Sequence, residues 1–163
     1  METNPNEKWD RRFLAMADLV ASWSKDPSTR VGAVIVRPDK TVCSVGFNGF
    51  PRYVDDSDAA YLDRSVKYKQ VKHAEENAIL FANESLLGHT LYVTPLLPCS
   101  LCAGDIIQKG IRRVVAAVNI ESFNRCIVAP DPVFGFDLTE KNFLAAGIEY
   151  WVVYPNGSME RRT

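Results

Sequence analysis

The sequence predicts an α/β fold in one domain over residues 1–163, with a mixed five-stranded sheet between two layers of helices. Two observations support this prediction. Two apolar runs rich in β-branched residues are separated by a short turn, which is typical of a β-hairpin. Three later strand-like runs alternate with helical patterns, which is typical of β-α-β units. A sheet that combines the two is mixed and carries helices on both faces.

The first part of the chain supplies one helix and the hairpin. Apolar residues recur at helical spacing over 8–24, which predicts an amphipathic helix with its aromatic residues in the core or at an interface. The continuous apolar run 31–36 predicts a buried strand. Residues 38–40 are typical of a turn, and 42–47 predicts the second strand of the hairpin.

The rest of the chain begins with the polar segment 48–72, in which a short helix is predicted near 59–69. Loops of this length in compact domains are usually functional or disordered. Beyond this segment helical and strand patterns alternate. The predicted helices are 74–83, 100–109 and 138–146, and the predicted strands are 91–94, 113–118 and 148–154.

Composition and charge argue against several classes of protein. The chain is 47% hydrophobic and 24% charged, and its net charge of −1 argues against a large nucleic-acid interface or a stable nucleic-acid partner. No stretch approaches the ~20 apolar residues of a membrane span, and residues 1–9 lack the apolar core of a signal peptide. Four cysteines fit a reducing cytoplasm better than a disulfide framework. We therefore expect a cytoplasmic protein without a membrane partner.

The most informative motif consists of His73 and Glu75, followed by Pro98, Cys99 and Cys102. One imidazole and two thiolates supply three of the four ligands of a tetrahedral zinc ion, and the missing fourth ligand leaves room for water. Such an open position distinguishes a catalytic zinc from a structural one. Glu75 stands two residues from the histidine, where a carboxylate can move protons without binding the metal.

A Cys-x-x-Cys pair also fits a redox pair or half of a structural zinc site. A structural site needs a fourth Cys or His, and the only other candidates in the sequence are His89, Cys43 and Cys126. Cys43 lies in an apolar run, which is typical of a buried and inert thiol. The motif specifies the ligand types, their order and the carboxylate together, so we favour the catalytic site.

The metal ligands fall at the starts of two predicted helices. Unpaired backbone N–H groups and the helix dipole favour negative charge at such positions, so the thiolates are stabilised there. A bound zinc ion can lower the pKa of its water to ~7. Glu75 is placed to take a proton from that water and to deliver it to a substrate ring.

The chain resembles the deoxycytidylate (dCMP) deaminase family, within the cytidine deaminase superfamily, over nearly its whole length. The two zinc segments, 73–79 and 98–103, are shared by the superfamily and match the H-x-E and P-C-x-x-C signature of zinc nucleobase deaminases. The segment 24–36 is similar to the family's entry into the first strand. The segment 46–51, Gly-Phe-Asn-Gly-Phe-Pro, points more narrowly to deoxycytidylate.

The resemblance implies a three-layer α-β-α cytidine-deaminase-like fold and zinc-dependent hydrolytic deamination of dCMP to dUMP. It implies one Zn²⁺ per chain, held by His73, Cys99 and Cys102, with Glu75 as the catalytic residue. Relatives with a second, structural zinc carry extra Cys and His before the catalytic histidine, and residues 52–72 contain neither. The candidate substrate-binding residues are Asn48, Ala74, Pro98, Lys25 and Arg30.

The resemblance also implies a homohexamer that dCTP activates and dTTP inhibits, with Mg²⁺ accompanying the effector triphosphate. Effector contacts are expected in the 46–56 loop, and Trp9, Phe13 and Trp23 of the first helix are expected against neighbouring subunits. Tyr53 stands where many relatives have glycine, which predicts a different backbone at that point. The candidate effector-binding residues are Gly46, Asn48, Gly49, Phe50 and Arg52.

Two other functions stay open on the sequence. The cysteine segment also resembles the tRNA adenosine deaminases, which would make the protein a nucleic-acid editing deaminase acting on adenosine or cytosine. The near-neutral charge and the Asn48 segment argue against this alternative. The other alternative is a non-catalytic, nucleotide-sensing zinc scaffold on the same fold. Glu75 argues against it, because a scaffold has no use for that carboxylate.

Overall fold

A mixed sheet of six strands organises the computed structural model, which describes residues 3–163. Residues 1 and 2 of the predicted domain lie outside the described residues. The strands are β1 (Gly32–Val36), β2 (Val42–Phe47), β3 (Thr90–Thr94), β4 (Arg113–Ala117), β5 (Glu149–Val153) and β6 (Met159–Arg161). Their order across the sheet is β2-β1-β3-β4-β5-β6.

The strands pair in both parallel and antiparallel directions, and most of the connections between them are helical. β3, β4 and β5 run parallel, whereas β1 pairs antiparallel with both β2 and β3, so the predicted hairpin and mixed sheet are confirmed. No helix within residues 3–163 is both long and apolar enough to cross a membrane. The helices are α1 (Glu7–Ala21), α2 (Asp58–Leu62), α3 (Arg64–Gln70), α4 (Ala74–Leu80), α5 (Ser100–Gln108), α6 (Ile120–Phe123) and α7 (Phe136–Ala146), with a π-helical turn at Asn124–Val128.

The two faces of the sheet bury two separate apolar clusters. On one face, Val34 and Val36 of β1 belong to the same cluster as Ala17 of α1. On the other face, Ala33 and Ile35 belong to a cluster that includes residues of α4, α5 and α7. Because β1 is covered on both sides, its apolar run is continuous rather than alternating.

A sixth strand makes the prediction of five strands wrong. β6 pairs antiparallel with β5, with Met159 opposite Val153 and Arg161 opposite Trp151. Its residues, Met-Glu-Arg, are too few and too polar to show a strand period. The Asn156-Gly157 pair between the two strands is a known hairpin signal. This pair, rather than hydrophobic periodicity, is the feature of the sequence that indicates β6.

The polar segment contains two short helices, α2 and α3, where one is predicted near 59–69. Asp63 separates them, because its ψ of 92° is not helical and ends α2. The Asp63 carboxylate then accepts hydrogen bonds from the backbone N–H groups of Ser65 at 3.0 Å and Val66 at 3.3 Å, which caps α3.

The aromatic residues of α1 and of the turn after it, which contains Trp23, divide between the core and the surface. Phe13 is buried in the protomer's own core, with its ring centroid 5.1 Å from that of Tyr92. The expectation that Phe13 faces a neighbouring subunit is therefore wrong. Trp9 and Trp23 are 39% and 51% exposed.

A buried ion pair attaches α1 to β4. The Arg113 guanidinium donates hydrogen bonds to the two carboxylate oxygens of Asp10 at 2.7 and 2.8 Å, and the Tyr92 hydroxyl donates to the same carboxylate at 2.9 Å. Asp10 is fully buried, so these donors replace the water that its charge loses on folding.

Candidate functional site

The starts of α4 and α5 bring the three predicted metal ligands together. His73 is the N-cap of α4, Cys99 is the N-cap of α5, and Cys102 lies in the first turn of α5. The Nδ1 atom of His73 lies 3.5 Å from Sγ of Cys99 and 3.4 Å from Sγ of Cys102. These three side chains therefore form one cluster.

The spacing of this cluster fits a tetrahedral zinc ion. Zinc–sulfur bonds of ~2.3 Å and zinc–nitrogen bonds of ~2.0–2.1 Å at the tetrahedral angle place the sulfur and nitrogen ~3.6 Å apart. The observed separations are 3.5 and 3.4 Å. Imidazole and thiolate are ligands that zinc prefers, and three protein ligands leave one position for water. The residues present therefore fit the metal.

Hydrogen bonds from outside the cluster hold the two ligand-bearing turns. The backbone N–H of His73 donates to the Glu76 carboxylate at 2.8 Å, as in a capping box. The Thr139 hydroxyl donates to the carbonyl of Pro98 at 2.9 Å. Neither Glu76 nor Thr139 is predicted as a site residue, although an acidic residue three positions after a helix N-cap is the available signal.

Contacts within the cluster shift the pKa values of all three side chains. The hydrogen bond with Cys102 lowers the pKa of Cys99 to about 4, and the hydrogen bond with Cys99 raises the pKa of His73 to about 9. The same contact with Cys99 raises the pKa of the Cys102 thiol. Because thiolate and neutral imidazole are the forms that bind a metal, metal binding at this cluster would release protons.

Glu75 lies in the first turn of α4 and is 4% exposed. Burial raises the pKa of its carboxyl group to about 7, against the opposing charge of His73. A carboxyl group with a pKa near 7 can both accept a proton and return it at neutral pH. This environment fits the proton-transfer role predicted from the sequence.

A cavity of about 500 Å³ opens onto Glu75 and two of the metal ligands, His73 and Cys99. This volume is typical of sites for small molecules. Three separate parts of the chain supply most of its wall, namely 26–31, 61–71 and 121–136. The side chains around it include Asn48, Tyr61, Arg64, Lys67, Arg125, Phe134 and Phe136.

Asn48 lines this cavity, but its amide is largely engaged within the protein. Its Oδ1 accepts a hydrogen bond from the Val31 backbone N–H at 2.8 Å. Its Nδ2 donates to the carbonyl of Thr29 at 2.9 Å and to the Asp26 carboxylate at 3.2 Å. Asn48 therefore holds the 26–31 wall in place, and one lone pair of Oδ1 is left for a ligand.

The other predicted substrate contacts are scattered. Ala74 lines the cavity, whereas Pro98 is buried and does not belong to its wall. Lys25 is exposed and pairs with Asp56 at 2.6 Å. Arg30 lines a neighbouring depression instead. The structure therefore brings neither of these two cations to the wall of the main cavity.

The cations that do line the cavity, Arg64, Lys67 and Arg125, are not among the predicted site residues. Arg125 lies in the π-helical turn, and its Nη1 donates to the Thr29 hydroxyl at 3.0 Å. Arg64 begins α3, and Lys67 one turn later is held in an ion pair. Apolar periodicity does not reveal a π-helical turn, so it gives no signal for Arg125.

The first of the predicted effector residues serves the packing of the protomer. A Cβ atom on Gly46 would lie 2.3 Å from the backbone nitrogen of Ala78, so β2 and α4 meet through their backbones at this point. Gly46 therefore serves helix packing, and the effector contact expected at Gly46 stays a prediction. Gly49 exchanges two backbone hydrogen bonds with Lys72, at 3.1 and 2.8 Å.

The remaining part of this loop is also held by local contacts. Phe50 packs edge-on against Tyr61 with ring centroids 4.8 Å apart, and the Arg52 guanidinium lies 5.0 Å from the Phe81 ring centroid. Tyr53 is fully exposed and has a φ of 68°, in the left-handed region that favours glycine. Tyr53 therefore adopts a conformation that is also open to glycine, and the backbone difference from relatives stays a prediction.

Comparison with known proteins gives concordant matches. Residues 7–118 match the family described as the cytidine and deoxycytidylate deaminase zinc-binding region. A protein of Aliivibrio fischeri named "Uncharacterized deaminase in luxG 3'region" is 53% identical over 116 residues, which cover 71% of this chain and 77% of that protein. The deoxycytidylate deaminase of Mus musculus is 40% identical over 114 residues, which cover 66% of this chain and 64% of that protein.

The fold also matches a solved structure. A crystal structure of dCMP deaminase from the cyanophage S-TIM5, in complex with dCMP and dUMP, has a TM-score of 0.68 and 22% identity, covering 93% of this chain and 99% of that chain. This likeness supports the cytidine-deaminase-like α/β fold. The family match extends over more than half of the sequence and includes His73, Glu75, Cys99 and Cys102. The chain therefore belongs to the cytidine and deoxycytidylate deaminase zinc-binding family.

Proposed function

We propose that this protein catalyses the zinc-dependent hydrolytic deamination of dCMP to dUMP in the cytoplasm. The observation that carries the proposal is a buried carboxyl group, Glu75, beside a His/Cys/Cys metal set, in a cavity that also contains Arg64 and Arg125. The mouse relative and the cyanophage structure are both named for this substrate. The free thiols of the chain fit a reducing compartment.

In the proposed reaction, His73, Cys99 and Cys102 would hold one zinc ion. When bound, zinc lowers the pKa of a water molecule toward ~7 and so supplies a nucleophile at neutral pH. Glu75 accepts a proton from this water and delivers it to N3 of the cytosine ring. The hydroxide adds to C4, and Glu75 then moves a second proton from the new C4 hydroxyl to the amino group. The C4–N bond breaks, ammonia departs and a carbonyl forms at C4.

The walls of the cavity offer complementary surfaces for the rest of the nucleotide. Phe134 and Phe136 stack with ring centroids 5.6 Å apart and provide an apolar wall for the pyrimidine. Arg64 and Arg125 provide guanidinium groups, which suit a phosphate because their planar N–H groups match its oxygens. Asn48 is proposed to contact the sugar or base through its remaining lone pair.

Substitution of Arg125 tests the phosphate assignment. We expect Arg125→Leu to lower kcat/KM for dCMP by about 10- to 100-fold, because a hydrogen bond to a charged group contributes ~1.5–3 kcal/mol. The activity on deoxycytidine, which has no phosphate, should change little. Ammonia release measured with dCMP, CMP, deoxycytidine, dCTP and AMP would show both effects.

Lys25→Leu is the matched control for Arg125→Leu, since it removes an exposed cation that pairs with Asp56 away from the cavity. It should leave kcat/KM for dCMP within about two-fold of the original value. Equal losses on dCMP and deoxycytidine would contradict a phosphate contact at Arg125. Faster ammonia release from a tRNA or single-stranded DNA than from dCMP would favour the editing function instead.

We also propose that the protein is a homohexamer regulated by dCTP as activator and dTTP as inhibitor, with Mg²⁺ accompanying the triphosphate. The exposed Trp9 and Trp23 offer apolar surface for subunit contacts. The effector site is proposed in the loop after β2, at Gly49, Phe50 and Arg52. Asn48 would transmit the effect, because its side chain braces the cavity wall.

Regulation predicts a change in the shape of the kinetic curve. We expect sigmoidal dependence on dCMP that becomes hyperbolic with dCTP and more sigmoidal with dTTP, with a coupling of ~1–3 kcal/mol between sites. Initial rates at millimolar effector, together with light scattering for oligomer size, provide the measurement. Hyperbolic kinetics that neither triphosphate changes would rule out the regulation and leave the catalytic proposal standing.

A further inference from the structure

A second cluster of metal-ligating side chains lies away from the catalytic site. It joins Cys43, near the start of β2, to Glu84 and His89 in the connection between α4 and β3. Asn48, at the cavity, lies beyond the opposite end of β2, roughly 17 Å away along the strand at ~3.3 Å per residue. We propose that Cys43, Glu84 and His89 form a second metal site, for zinc or a similar divalent transition metal.

The geometry of the three ligand atoms suits a single ion. All of them lie within 4.8 Å of one another. The Nε2 atom of His89 is 3.0 Å from Oε1 of Glu84. Two ligands with bonds of ~2.0–2.1 Å at the tetrahedral angle lie ~3.3 Å apart. A modest separation of these two atoms would therefore admit the ion.

The other ring nitrogen of His89 supplies the second observation. Its Nδ1 atom lies 3.3 Å from the carbonyl oxygen of Leu87. Metal-binding histidines usually donate their second N–H to a carbonyl or carboxylate, which fixes the tautomer and aims the remaining lone pair at the metal. The His89 side chain is also buried, so its ring orientation is constrained by packing.

Arg37 orients the carboxylate of this cluster. Its Nε and Nη2 atoms donate to the two oxygens of Glu84 at 2.6 and 2.9 Å, and its Nη1 donates to the carbonyl of Val42 at 2.7 Å. These two hydrogen bonds hold the Glu84 carboxylate in one orientation beside His89. Glu84 is also solvent-exposed, so water can complete the coordination.

The proposed ion would fasten the connection between α4 and β3 to β2. Thiolate, imidazole and carboxylate are all established zinc ligands, and they must release their protons when the metal binds. This site uses other residues than the single zinc implied by the family resemblance. It also does not depend on the proposed reaction, because none of its residues lines the catalytic cavity.

Metal content of the intact protein tests the proposal directly. After loading with zinc and desalting, elemental analysis should find two zinc ions per chain. Cys43→Ser and His89→Gln should each lose one ion and keep kcat for dCMP. Cys126→Ser, which replaces a buried cysteine outside both clusters, should keep both ions. Circular dichroism would verify that each variant is folded.

A spectroscopic measurement separates the two sites. In the Cys99→Ala background, Co²⁺ should produce a thiolate-to-metal absorption band that the additional Cys43→Ser change removes. Glu84→Gln alters an exposed residue and should weaken Co²⁺ binding in this background by about 10-fold or more. One zinc per chain in the unsubstituted protein, or no Co²⁺ band in Cys99→Ala, would overturn the proposal. The cluster would then be a set of hydrogen-bonded side chains that binds no metal.

Discussion

Glu75→Gln is expected to lower kcat for dCMP deamination by about 10²- to 10⁴-fold, because general acid–base catalysis by a positioned side chain contributes on this scale. Glutamine has nearly the same shape as glutamate but cannot transfer a proton. The buried setting that raises the pKa of Glu75 to about 7 makes the neutral amide easy to accommodate, so the fold should persist. Glu75→Ala should cause a loss at least as large.

The zinc content distinguishes this effect from simple loss of the site. Glu75 is not a member of the His73, Cys99 and Cys102 cluster, so the Glu75 variants should contain as much zinc as the unsubstituted protein. Glu121→Gln is the matched control, since it removes a carboxylate from the same cavity wall away from the metal ligands. Substantial activity in Glu75→Gln, or a loss as large in Glu121→Gln, would show that Glu75 does not have the assigned role.

Cys99→Ala is expected to lose one zinc ion per chain and all detectable deamination together. Only two protein ligands would remain, and the N–H of Cys102 would lose its contact with Sγ of Cys99 at the start of α5. A metal at 100 times its Kd contributes ~2.7 kcal/mol to the folded state. For a domain of this size that corresponds to a fall in Tm of roughly 5–10 °C, which calorimetry would detect.

Cys126→Ala provides the comparison for Cys99→Ala, because both changes remove a buried thiol. Loss of packing should destabilise this variant too, yet its zinc content and kcat should be unchanged. A strong chelator should likewise abolish deamination in the unsubstituted protein, and added zinc should restore it. Full activity in Cys99→Ala would mean that His73 and Cys102 do not depend on Cys99 to hold the metal.

Local patterns in the sequence were sufficient for most elements of the fold. Apolar runs and periodicity predict the hairpin strands and the alternating helices, because burial on one or both faces of an element sets those patterns. The metal set was also visible, since His73, Cys99 and Cys102 occur in two short motifs at helix starts. Its ligand types and its carboxylate identify the chemistry without knowledge of the distances.

Elements without a periodic pattern were missed or only partly predicted. β6 has three mainly polar residues, and the division between α2 and α3 depends on the backbone and capping bonds of Asp63. The π-helical turn that carries Arg125 follows no apolar period at all. In each case the element is stabilised by a few specific hydrogen bonds or by strand pairing, rather than by a stripe of apolar side chains.

The sequence by itself predicted an α/β fold and a His/Cys/Cys zinc-binding set with a glutamate two residues from the histidine. Only the tertiary structure decided which cations reach the cavity, since Lys25 and Arg30 lie near the motifs in sequence while Arg64 and Arg125 line the wall. The tertiary structure also decided that the Asn48 amide makes hydrogen bonds to the backbone of the 26–31 wall. The physical reason is that strand order and loop closure bring distant segments together, and neither is encoded in local periodicity.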